Sequence, residues 1–334
     1  MTATVTSPAT TVRPSVRTSV LRRLPVVQLV VLAAVFAWGT IQMDGFASPS
    51  SLKAMSVIAC LLALASLGQT LVIIIGGLDL AIPGYITVGA VATVVLGGTH
   101  GWPLWLVALF VVAVCGAAGA LSGAICHYLK VQSLVVTLGM SAVLTGGVLI
   151  ATKANILGMP PASLGSWTAV MGRTFGLPFP PVVALTVLAV VGTWLFLAHT
   201  PAGRRLYATG ANPRAAEGLG VRTARVWIGT FAFGAACTGL TGMLIAGFTF
   251  GASLSTGDPY FYSGLAAVLV GGTALGTAQG DFLRTVLGAL TLTGLTTILA
   301  GLGLGEGDTR ILYGIAIILV VLAYGRGRRL RDRL

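Results

Sequence analysis

The chain has 334 residues, 56% of them hydrophobic and only 8% charged, with a mean hydropathy of +0.96. A soluble domain is about a quarter charged, so this composition excludes a water-facing globule and makes the bilayer the solvent. Twenty Lys and Arg against eight Asp and Glu give a net charge of +12. In a soluble protein that balance would point to nucleic acid; here the basic residues sit between long apolar runs and report topology.

Residues 1–23 are rich in Thr, Ser, Pro and Arg and lack apolar periodicity, which predicts a disordered cytoplasmic tail. Leu24–Met43 follows without a charge. A signal peptide cleaved near Gly45-Phe46-Ala47 is the competing reading, but the run exceeds the roughly 7–15 residues of a signal-peptide apolar region. A spanning helix fits it better. Further stretches of the roughly 20 residues needed to cross a bilayer are Met55–Leu78, Leu80–Leu129, Val131–Thr152, Thr174–Thr200, Val226–Gly257, Pro259–Gly280 and Thr285–Gly305. Leu80–Leu129 is too long for one span, and Leu96–Pro103 divides it. A last span ends at Gly325 and begins a few residues before Ile311, with Arg310 snorkelling toward the headgroups. The expectation is an all-α polytopic membrane protein of about ten transmembrane helices over residues 24–325, followed by a basic cytoplasmic tail, 326–334.

Orientation follows from counting. With the N-terminus inside and ten spans, sixteen of the twenty basic residues fall in inside segments; Lys53, Lys153, Arg173 and Arg310 fall outside. That asymmetry fits the positive-inside rule and puts both termini in the cytoplasm. Cys60, Cys115, Cys126 and Cys237 lie singly in apolar runs, with neither disulfide nor metal spacing. Gly119-x-x-x-Gly123 and Gly247-x-x-x-Gly251 suggest close helix packing.

No enzyme constellation is present. His100, His127 and His199 lie near span ends without a neighbouring carboxylate, and no lysine follows a glycine as a P-loop requires. Nucleotide hydrolysis by this chain is therefore not expected.

Three segments interrupt the apolar background. In Gly76-Gly77-Leu78-Asp79-Leu80-Ala81-Ile82-Pro83-Gly84 a glycine pair, a carboxylate and Pro-Gly preclude a continuous lipid-facing helix. Two readings of Asp79 stay open: a cap on the helix that follows, satisfying amides from Ile82 onward, and a pathway carboxylate. The cap is the preferred reading. The basic loop 200–225 contains Asn212-Pro213, an N-cap with Pro at the first helical position, and Gly218 and Gly220 as stops. Barely two turns lie between, too short to be stable alone, so a docked helix is expected; a loop that merely sets topology is the alternative. In the third segment, Val268–Phe282, Leu269-Val270-Gly271-Gly272 parallels Ile73-Ile74-Ile75-Gly76-Gly77, glycine pair on glycine pair, and hints at an internal repeat.

Gly-Gly-x-Asp-Leu at 76–80, Val136-Thr137-Leu138-Gly139-Met140, Gly203-Arg204 through Asn212-Pro213-x-Ala215-Ala216-x-x-x-Gly220-Val221, and Gly271-Gly272-Thr273 together resemble the permease subunits of ribose/monosaccharide-type ABC importers, the branch grouped with branched-chain amino acid permeases. The resemblance runs from about Ala54 to Tyr324. It implies a multi-pass protein of the bacterial inner membrane that pairs with a second permease copy and rests on cytoplasmic ABC ATPase subunits. ATP and Mg would bind those subunits, leaving this chain without a cofactor. A soluble binding protein would deliver a sugar or small polyol from the outer side, and no nucleic acid is involved. It also implies that Asn212, Pro213, Arg214, Ala215, Ala216, Glu217 and Gly220 form the ATPase-coupling loop. The chain departs from the family pattern at Ala81-Ile82-Pro83, at Thr277-Ala278, and at Arg214, where an acidic residue is usual. Substrate-pathway candidates are Gln69, Gly76, Gly77, Asp79, Thr137 and Asn155; each polar one is equally readable as an interhelical hydrogen bond. The runner-up function is an ion-coupled secondary transporter using Asp79. A membrane-embedded enzyme lacks any catalytic pair.

Overall fold

A computed structural model describes residues 25–174, 176, 179–273 and 278–331, with 323–331 as helix backbone. The expected N-terminal tail, residues 1–23, lies outside the described residues. Of the expected tail 326–334, only the helix backbone to Arg331 lies inside them.

The described residues form helices and no strand: α1 (Val26–Gln42), α2 (Pro49–Ala65), α3 (Leu67–Ile74), α4 (Ile82–Ala92), α5 (Leu104–Tyr128), α6 (Ser133–Thr152), α7 (Ala162–Thr168), α8 (Pro181–His199), α9 (Pro201–Ala211), α10 (Pro213–Gly218), α11 (Thr223–Thr249), α12 (Pro259–Val270), α13 (Phe282–Gly301) and α14 (Glu306–Arg331). Each of the ten apolar segments carries a helix. Six helices are long and apolar enough to cross a bilayer: α4 with the π-helical turn Thr93–Thr99 that prolongs it, α5, α6, α8, α11 and α13. The bent pair α2 and α3 makes a seventh.

The remainder differ from the expectation for identifiable reasons. Pro259–Gly280 is not one full helix, because α12 stops after 12 residues at its glycine pair. Met55–Leu78 is broken at Ser66, where α2 and α3 meet at 41°. Ser66 Oγ donates to Leu62 O at 2.7 Å, a back-bond to the preceding turn of the kind that bends helices. α1 has 17 residues. α14 begins at Glu306, five residues ahead of Ile311 as the sequence suggested, and Arg310 pairs with Glu306 at 2.7 Å.

α11 is the central post. It packs along α5 on one side and along α4 and α3 on the other. Bare backbone makes this approach close. A Cβ on Gly123 of α5 would lie 2.9 Å from Trp227 O, and Gly119 abuts Phe231 O. Interfaces of this kind exploit dispersion rather than water exclusion, since lipid is as apolar as leucine. The second glycine pattern is only half used. Gly247 meets the backbone of Leu164 in α7, whereas Gly251 falls beyond the end of α11, where an added Cβ would meet no atom within 4 Å.

Candidate translocation and coupling site

The segment between α3 and α4 is the first of two helix breaks. α3 ends in a Schellman turn: Gly76 N–H donates to Ile73 O and Gly77 N–H to Val72 O, with Gly76 at φ +88°. The next four amides are then met one by one by side chains. Leu78 N–H donates to Ser133 Oγ at 2.8 Å, Asp79 N–H to Gln69 Oε1 at 3.1 Å, Leu80 N–H to Thr137 Oγ1 at 2.9 Å and Ala81 N–H to Asp79 Oδ1 at 2.9 Å. Non-helical backbone inside a membrane protein requires this kind of satisfaction.

Gln69, Asp79 and Thr137, three of the pathway candidates, are therefore brought together as the bracket of the break. All three are buried, and Asp79 is 3% exposed. Asp79 does not cap amides from Ile82 onward; it closes an Asx turn onto Ala81, the residue ahead of α4. Ser133 escaped the sequence reading, although its place one turn before Thr137 on α6 was the available signal. Asn155 is separate from this group. It is exposed in the loop after α6, where its neighbours Ala154 and Ile156 line an open groove with 252–255.

The second break follows α12. Gly272 N–H donates to Leu269 O and Thr273 N–H to Val268 O, with Gly272 at φ +90°. The same turn therefore recurs, but Gly272 rather than Gly271 corresponds to Gly76. The repeat suggested by the sequence is real at the level of this turn, in a register shifted by one residue. Asp281 then caps α13 through Arg284 N–H at 2.9 Å. Residues 274–277, which include part of the departure at Thr277-Ala278, lie outside the described residues.

The basic loop joins the two breaks. Thr200 caps α9 by accepting from Gly203 N–H, and Asn212 caps α10 by accepting from Ala215 N–H at 3.1 Å. Pro213 occupies the first turn of α10, which ends at Gly218, and Gly220 takes φ +79°. On this two-turn helix Ala216 is buried, while Arg214, Ala215 and Glu217 are exposed. Glu217 accepts from the Thr223 hydroxyl, tying α10 to α11. Leu219, 84% exposed, projects just beyond it. α9, which the sequence did not reveal, carries Gly210 against Ile74 O at the end of α3. It also carries Tyr207, whose hydroxyl donates to Gly280 O at 2.8 Å beyond the second break. Burial, reinforced by the Asp281 carboxylate, pushes the Tyr207 phenol up, so it remains a donor at neutral pH.

At the far end of α11 lies a cavity of about 520 Å³ between α2, α11, α12, α13 and α14. A 27-residue helix places it about 40 Å from α10 at 1.5 Å per residue. Hydroxyls of Ser253, Ser255, Thr256 and Ser263 and the rings of Tyr260, Tyr262 and Tyr313 line it, with the Glu306–Arg310 pair at the wall. Thr293 also lines it, and its buried hydroxyl has no hydrogen-bond partner among the described residues. Apolar walls with a few convergent hydroxyls suit a small polar ligand. No group of His, Cys, Asp or Glu among the described residues is arranged to hold a metal ion.

Apolar helices of spanning length, interrupted at two glycine turns and joined to an exposed capped helix, define a multi-pass membrane protein. Residues 51–321 match the family described as branched-chain amino acid transport system / permease component, and the chain belongs to that family. Among its curated relatives are the ribose import permease protein RbsC of Escherichia coli K12, 31% identical over 78% of this chain and 81% of that protein, and the autoinducer 2 import system permease protein LsrC of Yersinia enterocolitica, 29% identical over 81% and 74%. The galactofuranose transporter permease protein YtfT of E. coli K12 is 27% identical over 90% of this chain and 89% of its own length. The resemblance to the monosaccharide branch is thus upheld. No solved structure matches the chain.

Proposed function

We propose that this chain is the transmembrane subunit of an ATP-binding-cassette importer that moves a monosaccharide or small polyol across the bacterial inner membrane. ATP is hydrolysed on separate cytoplasmic subunits, and a soluble binding protein delivers the ligand at the opposite face. In this reading the chain crosses the membrane ten times with both termini in the cytoplasm, and it pairs with a second permease.

The observation that carries the proposal is the connection of α10. An exposed, capped two-turn helix with a protruding leucine is a docking element, and α9 ties it by backbone contact and one hydrogen bond to both helix breaks. A push on α10 therefore reaches the two places where membrane helices are already interrupted. Alternating access is then a shift between two packings, biased by the nucleotide state of the docked ATPase.

The test is uptake in proteoliposomes. Co-purified with its ATPase and supplied with the binding protein, the permease should accumulate a labelled monosaccharide only when ATP is present. Accumulation by the permease alone under a proton or sodium gradient would refute the proposal in favour of an ion-coupled carrier.

A further inference from the structure

Where α8, α9 and α11 converge beside α10, two hollows run into each other. The larger, about 580 Å³, is ringed by Arg205, Arg222 and Arg225 with Phe196 and Phe233 behind them. The smaller, about 200 Å³, continues between α8 and α11 past Gly192 and Gly229 to Leu71. Phe196, Leu206, Gly229, Thr230 and Phe233 line both. Arg225, Gly229 and Phe233 succeed one another at four-residue spacing, so charge gives way to apolar surface along one face of α11 over about 12 Å.

Gly192 and Gly229 leave the slot open, for a Cβ on either would meet nothing within 4 Å. Phe233 is 54% exposed. None of the three guanidinium groups forms a hydrogen bond or an ion pair with another described residue. Three unpaired guanidinium groups at the mouth of an apolar slot complement one kind of molecule, an anionic headgroup carrying a hydrocarbon tail. Arginine suits phosphate oxygens through its planar array of donors, and basic pockets between membrane helices hold such headgroups.

We propose that this groove binds one anionic phospholipid of the inner leaflet, its phosphate among Arg205, Arg222 and Arg225 and an acyl chain in the slot between α8 and α11. The lipid would brace α9 against α11 and so steady the base of α10. The inference rests on the inside placement of this loop, in the Proposed function reading, but not on ATP-driven transport.

The test uses the full chain in phosphatidylcholine nanodiscs containing a minor fraction of phosphatidylglycerol. Native mass spectrometry reads retained lipid and thermal unfolding reads stability. Wild type should retain one phosphatidylglycerol per chain and unfold at a higher temperature with it than without. The triple variant Arg205→Gln, Arg222→Gln, Arg225→Gln should lose that preference roughly a hundredfold, at about 1 kcal/mol per basic residue near a surface. Gly229→Leu keeps the arginines but fills the slot, and it should lose retention as well. Equal retention by wild type and either variant overturns the proposal. So does stabilisation by inorganic phosphate alone with Gly229→Leu unaffected, which would mark a free-anion site. Loss of ATPase assembly without loss of lipid would instead assign the arginines to the ATPase and equally overturn it. Sugar uptake enters none of these readouts, so failure here leaves the transport reading to its own experiment.

Discussion

Replacing Thr137 by Val tests whether the bracketed break is held by its side chains. The two residues have nearly the same shape, so packing around a position that is 0% exposed is conserved while the hydroxyl is lost. The two shortest of its contacts are acceptance from Leu80 N–H at 2.9 Å and donation to Ser133 O at 2.8 Å, and both vanish. The carbonyl of Ser133 lies in the first turn of α6 and retains its helical environment, so the cost falls mainly on the Leu80 amide. Leu80 is itself buried at 9% exposure, and a buried donor left without a partner costs about 1–3 kcal/mol. Side-chain hydrogen bonds inside membrane proteins average nearer 0.6 kcal/mol because the membrane-embedded unfolded state finds other partners. A backbone amide in non-helical chain has fewer such alternatives, so about 1–2 kcal/mol is expected, a factor of roughly 5–30 in the folded-to-unfolded ratio. Thermal unfolding in detergent, with Thr137→Ser as the control that keeps the hydroxyl, makes the comparison. Thr137→Val should unfold at a clearly lower temperature than Thr137→Ser. If the two variants match in stability while the apparent substrate affinity of Thr137→Val falls, the hydroxyl belongs to the transport path and the bracket argument is wrong.

Other perturbations separate the remaining roles. Gly76→Ala should cost about 1–2 kcal/mol through its left-handed backbone alone, since its Cβ would meet no atom within 4 Å; Gly76→Asn should recover part of that in the same melt. Ala215→Glu and Leu219→Asp change exposed positions on and after α10, so both should abolish ATP-driven uptake with membrane insertion intact, and normal uptake would reduce the loop to a topology signal. Tyr207→Phe removes one hydrogen bond to Gly280, worth about 1 kcal/mol. It should lower uptake several-fold while co-purification with the ATPase is unchanged; an unchanged rate would show that α9 does not carry the motion.

What the sequence disclosed was what is local. Apolar run length located the ten apolar segments that carry helices but neither α7 nor α9, and Asn212-Pro213 located α10 because an N-cap and its helix are adjacent. The first glycine pair located its break, whereas the second showed only as a parallel within the span Pro259–Gly280; neither disclosed the register, since either glycine of a pair is able to take positive φ. Only the amide pattern after each helix distinguishes Gly76 and Gly272 from their neighbours. Gln69 and Thr137 were legible as polar residues in apolar runs and no further. Their partners Asp79 and Leu80 lie 10 and 57 residues away, and nothing in composition encodes that meeting. The cavity beyond α11 draws on five helices, and α9 was obscured because Gly203 and Gly210 weaken its helix signal. Those two glycines serve contact rather than flexibility, and contact is visible only once the partner backbone is present.

The same contact has a consequence for how the two breaks move. Gly210 leaves no room between α9 and Ile74 O, and Tyr207, one turn earlier, anchors α9 at Gly280. A separate buried pair, Thr70 and Thr285 with their hydroxyls 2.8 Å apart, joins α3 to α13 directly. The first break is thus linked to the second by two routes, one through the basic loop and one through the helices that flank the breaks. Displacing α10 while holding both routes intact shifts the two breaks together. Removing the Thr70–Thr285 hydrogen bond, by contrast, weakens the direct route and leaves more of the registration of one break against the other to α9. Uptake in a Thr70→Val background should therefore become more sensitive to Tyr207→Phe than it is in wild type, a coupling that a double-mutant cycle measures directly. Strict additivity of the two substitutions would show that the breaks respond to the loop independently.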